Sequence, residues 1–514
     1  MKKDAMIRRL MKSTGTGLCA VLAGVLTLGS CAKDPATDAT QNETKSLRAW
    51  MAQHREDLLD NFQPVGNSGY YVDVIREGAE DARPIGDTSV WVRFDATVRD
   101  LDGNIVLTRN ADHAKLLNTF TKYTRYVPFY RYCGAENAGL TEGVWLAMHN
   151  PLSLDNGTRT ARLRIGAVAD LYLPSILVGS VSASGGYEGE TSLSGDRPVI
   201  LHMEIVDTVA NPLSREGQEV DKFCEANGGL LHYVKAGSSE ISSGAVTMPE
   251  KAGDANHPYL STTQRWVSAC DSVAQLYVNY RYRPEENQTW QYPAMYRNRY
   301  APYDNPEQLN RDIDAALIKR FHTDTETPYV GVENLQADSV GLDGTAKIWY
   351  IGRFLDGFIF DTNIDEVKEL IYDAGYETGS ALSYTPSDGG LIQAFYYTVP
   401  KMQYGQWAAL ITTSTNAYGS SGQTGSSTTT TSGGNTSSYY DYLNYMNYMN
   451  SYYNNYYGGY YNNYYGGYYG GYYGGYYGDY YSSGTTTPTT TTTTVTTEIP
   501  SFTPLIFQFY VEPK

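Results

Sequence analysis

Residues 391–419 read LIQAFYYTVPKMQYGQWAALITTSTNAYG. They contain, in order, Leu391-Ile392-Gln393-Ala394-Phe395, Met402-Gln403-Tyr404-Gly405-Gln406 and Ala417-Tyr418-Gly419. Upstream stand Tyr350-Ile351-Gly352 and Leu355-Asp356-Gly357-Phe358-Ile359-Phe360-Asp361, and downstream Ile499-Pro500 and Leu505-Ile506-Phe507. The flanks Ala346 to Phe354 and Leu505 to Val511 carry strand signals. Taken singly, aromatic residues on strands are core residues, and each piece is weak. Seven pieces in a fixed order make a specific pattern. No GxSxG, HExxH or clustered His accompanies them, so a nucleophile or metal centre has no sequence support, and none is expected.

Together these pieces resemble the FKBP-type peptidyl-prolyl isomerases, and from Leu391 to Gly419 the family spacing runs without a gap. The resemblance implies an α+β fold in which an antiparallel sheet wraps on a short helix around an aromatic-lined pocket. It implies Tyr350, Phe360, Asp361 and Tyr418 as catalytic residues, with Asp361 the pocket's lone acid. Leu382, Leu391, Ile392, Phe395 and Phe507 would bind substrate, the backbone N–H of Ile392 acting as the donor that holds it. Phe395 stands where the family usually has Trp, and Leu382 where it commonly has Phe, across an added segment, Asn363 to Ser380. The reaction needs no cofactor. Amide resonance sets an X-Pro barrier of ~18–20 kcal/mol, and a pocket that favours the twisted amide lowers it by binding the transition state preferentially.

A second, eroded copy of the pattern lies upstream, opening with GYYVDVIREGAEDARPIGDTSVWVRF at residues 69–94. There Phe94 stands for the Tyr, Val106 for the Phe, Leu107 for the acid, Leu140 for the Trp, Val178 for the second Tyr and Leu201 for the last Phe. The expectation is a fold without isomerase activity. Strand signals in this part fall at Tyr70 to Arg76, Ser89 to Val98, Ala161 to Ile165, Val168 to Leu171 and Val199 to Val206, after an amphipathic helix at Ser46 to Asp60. Residues 209–336 read as a mainly helical connector, with helices at Thr263 to Tyr280 and from Asn305 to about Phe321. The domains expected are therefore 46–208, a connector 209–336, and 337–514.

The last domain is interrupted at 420–498 by a Ser/Thr/Gly run, Tyr-Tyr-Gly-Gly repeats and a Thr run. Of the chain's 48 Tyr, 21 fall between Tyr439 and Tyr481. With no aliphatic pattern, this insertion reads as disordered. It is either a sticky arm at the pocket mouth or a tolerated loop expansion.

Met1 to Lys12 is basic and precedes the apolar run LCAVLAGVLTLG, too short to span a bilayer, so residues 1–30 read as a signal peptide. Leu28-Gly29-Ser30-Cys31 resembles a bacterial lipobox, which implies lipidation of Cys31 and a lipid anchor in the membrane. Residues 31–45 read as a flexible tether, and Lys33-Asp34 resembles surface-export signals of Bacteroidetes lipoproteins. The expected location is the cell envelope, at the outer membrane. Cleavage removes five cations and one acid and takes the formal charge from −17 to −21. Such an acidic chain lacks the clustered cations that nucleic acid requires. Cys133, Cys224 and Cys270 show no metal spacing and read as buried thiols. The partners expected are proline-containing exported polypeptides, with a homo-oligomer through the Trp50 helix left open. Two alternatives stand beside the isomerase: a non-enzymatic surface lipoprotein that binds or adheres, and a glycan-binding protein.

Overall fold

The computed structural model describes residues 35–88, 91–134, 140–178, 197–227, 230–231, 266–268, 275–280, 282–321, 339–372, 376–387, 389–423, 425–432 and 490–514. The signal peptide, Cys31, Cys270 and the Tyr repeats lie outside these residues. The architecture is mixed helix and antiparallel sheet, in two units.

The first unit opens with α1 (Pro35–His54), then β1 (Phe62–Val65), β2 (Ser68–Arg76), β3 (Trp91–Arg99), β4 (Ile105–Thr108), α2 (Ala111–Leu116), β5 (Tyr130–Tyr132), α3 (Glu142–His149), β6 (Val168–Leu173), α4 (Ser175–Val178) and β7 (Val199–Val209). Its sheet runs β1-β2-β6-β7-β3-β4, with β5 also paired to β3. One face takes Val144, Ala147 and Met148 of α3 into a core with Val72, Val98, Leu171 and Leu201. On the other face Leu47 and Met51 of α1 pack against Tyr71 and Tyr172. The expected tether is thus helical from Pro35. Glu43 and Thr44 are bonded into the unit, Thr44 Oγ1 to Ser68 Oγ at 3.1 Å. The expected strand at Ala161 to Ile165 is not formed; Ala161 ends a short strand, Arg159–Ala161.

The second unit comprises α5 (Pro212–Ala226), β8 (Leu230–Leu231), β9 (Trp266–Ser268), β10 (Leu276–Asn279), α6 (Pro306–Phe321), β11 (Ala346–Phe354), β12 (Ile359–Thr362), α7 (Asp365–Ile371), β13 (Leu382–Tyr384), α8 (Gln393–Thr398), β14 (Trp407–Thr412), β15 (Ser426–Ser432), β16 (Thr490–Thr496) and β17 (Leu505–Val511). Its main sheet runs β8-β9-β10-β14-β17-β11-β12, with β13 also on β11. Strand for strand, β10-β14-β17-β11-β12 repeats β2-β6-β7-β3-β4. The same bulge recurs, between Val98 and Arg99 in one unit and Gly352 and Arg353 in the other.

This topology corrects the expected connector. Within Thr263 to Tyr280 the described residues 266–268 and 276–279 form strands in place of the expected helix, and β10, which begins the strand order shared with the first unit, pairs Leu276 with Thr412. A helical face and a pair of short strands are both compatible with scattered apolar residues; pairing with β14 decides between them. Residues 282–321 therefore sit between two strands of one sheet and cover its outer face. The expected disorder of 420–498 also fails at both ends. Thr favours extended backbone, and β15 and β16 pair in register from Ser426↔Thr496 to Ser432↔Thr490.

β17 is buried at all seven positions. On the outer face its polar Gln508 binds Arg353 Nε (2.8 Å) and the Tyr282 hydroxyl (2.8 Å), and Arg353 Nη1 donates to Asn310 of α6 (2.9 Å). Beside them Asp314 of α6 is fully buried and accepts from Asn287 Nδ2 at 3.3 Å. Burial pushes its carboxyl up to about 7, against the opposing pull of Arg353 and Asn287. An acid raised above its unfolded value of ~3.9 holds its proton more tightly when folded, so its stabilising effect is complete below about pH 4 and is lost as pH rises to about 7. Asp314→Asn is expected to remove that decline, worth at most about 1.4 kcal/mol per pH unit. Urea midpoints of the two proteins measured from pH 4 to 8 check this; parallel profiles would show that Asp314 does not titrate there.

Candidate pocket of the second unit

Strand alternation puts Tyr350 and Gly352 of β11 and Phe507 and Phe509 of β17 on the inner face, with Tyr350 opposite Phe509 and Gly352 opposite Phe507. α8 lays Phe395 onto this face, its ring 5.2 Å from Phe507 and 5.5 Å from Phe509. Phe360 of β12 meets Phe507 edge-on at 5.6 Å, and Tyr350 lies 6.5 Å from Phe395 and 6.2 Å from Phe507. These separations are typical of tilted and edge-to-face aromatic packing. Phe360, Phe395 and Phe507 are almost fully buried, whereas Tyr350, Asp361 and Tyr418 keep partial exposure at the rim.

The polar centre is Asp361, opposite Gly352 on β12. The Tyr350 hydroxyl donates to Asp361 Oδ2 at 2.5 Å. Burial raises the Asp361 carboxyl above the usual carboxylate range, and the Tyr350 hydrogen bond pulls it back. Burial, then the Asp361 charge, pushes the Tyr350 phenol well up and the Tyr418 phenol to about 12. Both phenols stay protonated at neutral pH and can donate.

Ile392 precedes α8 as its N-cap residue, and its carbonyl accepts the Phe395 N–H at 3.1 Å. Among the described residues the Ile392 N–H has no hydrogen-bond partner, so it is available to an acceptor. Leu391 and Ile392 are half-buried, and Leu382 stands on β13 opposite Ile348; all three pack against the same core. Cys133 and Cys224 are buried free thiols, and no His, Cys or carboxylate group among the described residues is arranged to hold a metal.

Sequence reasoning missed three participants. Tyr372, just past α7 in the added segment, has its phenol pushed up by burial and then by the Asp361 charge. Tyr303 binds the backbone of β12 by accepting the Ile359 N–H at 2.7 Å, and it stacks on Phe358 at 4.8 Å. Arg125, from the first unit, pairs with Asp356 at 2.7 Å and lies over the Phe354 ring at 4.7 Å. No motif marks Tyr303 or Arg125; Tyr372 follows an amphipathic turn whose period alone hints at burial.

The register also explains why the first unit has no such site. Val98 opposite Leu107 matches Gly352 opposite Asp361, and Ala96 opposite Met203 matches Tyr350 opposite Phe509. Phe94 is therefore not the counterpart of Tyr350; in the unbroken register Phe94↔Ile205, Ala96↔Met203, Val98↔Leu201 it lies one inward-facing position further along the strand, and Ala96 takes the place. Val106 is 40% exposed and turns away, unlike Phe360 at 2%. Leu107, Leu140, Val178 and Leu201 are all buried in a filled apolar core.

Gly352 is what admits the Phe360 ring. A Cβ there would stand 2.5 Å from Phe360 Cζ, a distance no real contact tolerates. Gly352→Ala is expected to displace Phe360 and cost about 1–3 kcal/mol of stability. Denaturant unfolding checks the size, and an unchanged midpoint would mean that the ring relaxes freely.

No family model matches this chain, and no curated protein matches it. Among solved structures, the three FKBP domains of wheat FKBP73 align at 9% identity and a TM-score of 0.18, covering 86% of this chain and 94% of that one. FkpA from Escherichia coli aligns at 14% identity and a TM-score of 0.21, covering 38% of this chain and 73% of its own. Scores this low carry no weight for fold or function, which rest on the strand order, registers and contacts above.

Proposed function

We propose that the second unit is an FKBP-like peptidyl-prolyl isomerase domain acting on exported proline-containing polypeptides, with the protein held in the cell envelope through lipidated Cys31. The observation that carries this reading is the Tyr350–Asp361 hydrogen bond set at the rim of the Phe360, Phe395 and Phe507 wall. A prolyl ring fits an apolar aromatic wall. The free Ile392 N–H supplies a donor for a substrate carbonyl. The Tyr418 hydroxyl, kept protonated, supplies a donor where the twisted amide loses its resonance and its nitrogen gains basicity, while the Tyr350 proton stays on the hydrogen bond to Asp361. No group has to take or give a proton permanently.

The first unit supports a second role within the same protein. With Ala96, Val98 and Leu107 at the positions of Tyr350, Gly352 and Asp361, it offers neither acid nor phenol, and it serves as a scaffold or binding module.

The test is X-Pro exchange in a proline peptide, followed by NMR line shape or a protease-coupled assay, using the whole chain from Ala32 onward. The wild type should accelerate exchange. Asp361→Ala combined with Tyr418→Phe should lose at least about tenfold while remaining folded. A folded wild type with no acceleration would leave binding without isomerisation. Replacing residues 433–489 by Asn-Gly, a turn that closes the β15–β16 hairpin, should leave the rate unchanged. A slower shortened protein would assign the Tyr repeats a part in substrate capture.

A further inference from the structure

Two carboxylates occupy the same place in the two units. In α5, Glu216 is buried and accepts both the Ser414 N–H (2.6 Å) and the Ser414 hydroxyl (2.7 Å). In α1, Glu43 accepts the Ser175 N–H and hydroxyl, each at 2.6 Å. Each serine lies two residues beyond the end of its strand, β14 or β6. The helices match as well: four residues after each Glu comes a buried aliphatic, Leu47 or Val220, and four later Met51 or Cys224. The clasp belongs to the fold.

What differs is the turn it holds. The carbonyl of Ser414 accepts the N–H of Ala417 (2.9 Å) and the N–H of Gly419 (2.8 Å), the two residues that bracket Tyr418. Ser414 is thus fixed from one side by Glu216 and fixes Tyr418 from the other. The Ser175 turn carries Ile176, Leu177 and Val178 and presents no polar group.

We propose that Glu216 is a positioning residue for the pocket: acting through Ser414, it sets the Tyr418 turn and holds the phenol in reach of Asp361. Its effect on catalysis rests on the isomerase reading; its effect on Tyr418 does not. Charge-assisted acceptance of two donors by one carboxylate is stronger than a neutral pair, and here it is sheltered from water. Small misplacements of an orienting group far from the reacting bond are known to cost large factors in rate.

The experiment places a single 3-fluorotyrosine at position 418 of the full chain and reads its ¹⁹F signal in four backgrounds: wild type, Glu216→Ala, Ser414→Ala and Glu43→Ala. Glu43→Ala breaks the matching clasp in the first unit and controls for general loss of stability. Glu216→Ala should shift or broaden the signal and lower kcat/KM for an X-Pro peptide by about tenfold to a hundredfold. Glu43→Ala, with a comparable fall in Tm, should leave both as in the wild type. Should Glu216→Ala fail to fold, Glu216→Gln and Ser414→Ala, which keep side-chain volume or one hydrogen bond, give the same reading with smaller effects. A 418 signal unmoved in the folded Glu216 and Ser414 variants, or moved equally by Glu43→Ala, overturns the proposal. A wild type that does not accelerate exchange removes the isomerase reading alone, since the ¹⁹F signal still decides the role of Glu216.

Discussion

The second unit is organised by one constraint: its central strand, β17, has no face toward water. A strand buried on one face alternates apolar and polar residues, but LIFQFYV has an apolar residue at every position except Gln508. Everything around it follows. The inner face needs large side chains to fill it, and Phe507 and Phe509 meet Phe395, Phe360 and Tyr350 there. The outer face needs a cover, and residues 282–321 provide it, with Phe321 and Trp407 packed on Tyr510. The one polar side chain must be satisfied internally, which draws in Arg353, Tyr282 and Asn310. Arg353 donates its Nε to Gln508 and its Nη1 to both Asn310 and the Gly357 carbonyl, so removing Gln508 would strand the buried Nε–H.

The two units show how little separates a filled core from a pocket on the same frame. The strand order, the bulge and the Glu–Ser clasp are common to both. At the bulge, glycine lets an aromatic ring lie across the strand, and valine does not. With the ring excluded, the residue at its position faces outward, the acid becomes leucine, and the tyrosine becomes alanine. Each change makes sense only with the others, because an unpaired carboxylate in a filled apolar core would be heavily penalised.

Much of this was legible in the sequence, for identifiable reasons. The ordered motifs of the second unit mark residues whose backbone geometry and side-chain chemistry are both constrained, and the structure gathers Tyr350, Phe360, Asp361, Phe395 and Phe507 around one face. The helix from Pro306 was visible because its Pro and acidic start and its apolar period agree. The strand β10 of the second unit was not visible. β10 is four residues long, its partner β14 lies well over a hundred residues away, and no local signal reports a pairing at that distance. Phe94 was misassigned because Phe94 and Ala96 lie two apart on the same inward face of β3, and only the pairing with β7 and β4 shows which of them matches Tyr350. The threonine strands of the insertion were hidden because low complexity suggests disorder, whereas β-branched residues also suit a hairpin stem.

The position of β17 bears on how the protein is made. β11 and β14 are both synthesised before the Tyr-rich insertion, and they are joined only through β17, which follows it. Until that strand emerges, two strands of the future sheet present unpaired backbone edges toward an empty slot. Each added repeat lengthens that wait, whereas in the folded state the β15–β16 stem already holds the loop ends together. The length of the insertion is therefore tested less by the finished molecule than by the interval during synthesis when a half-built sheet is open to other strands.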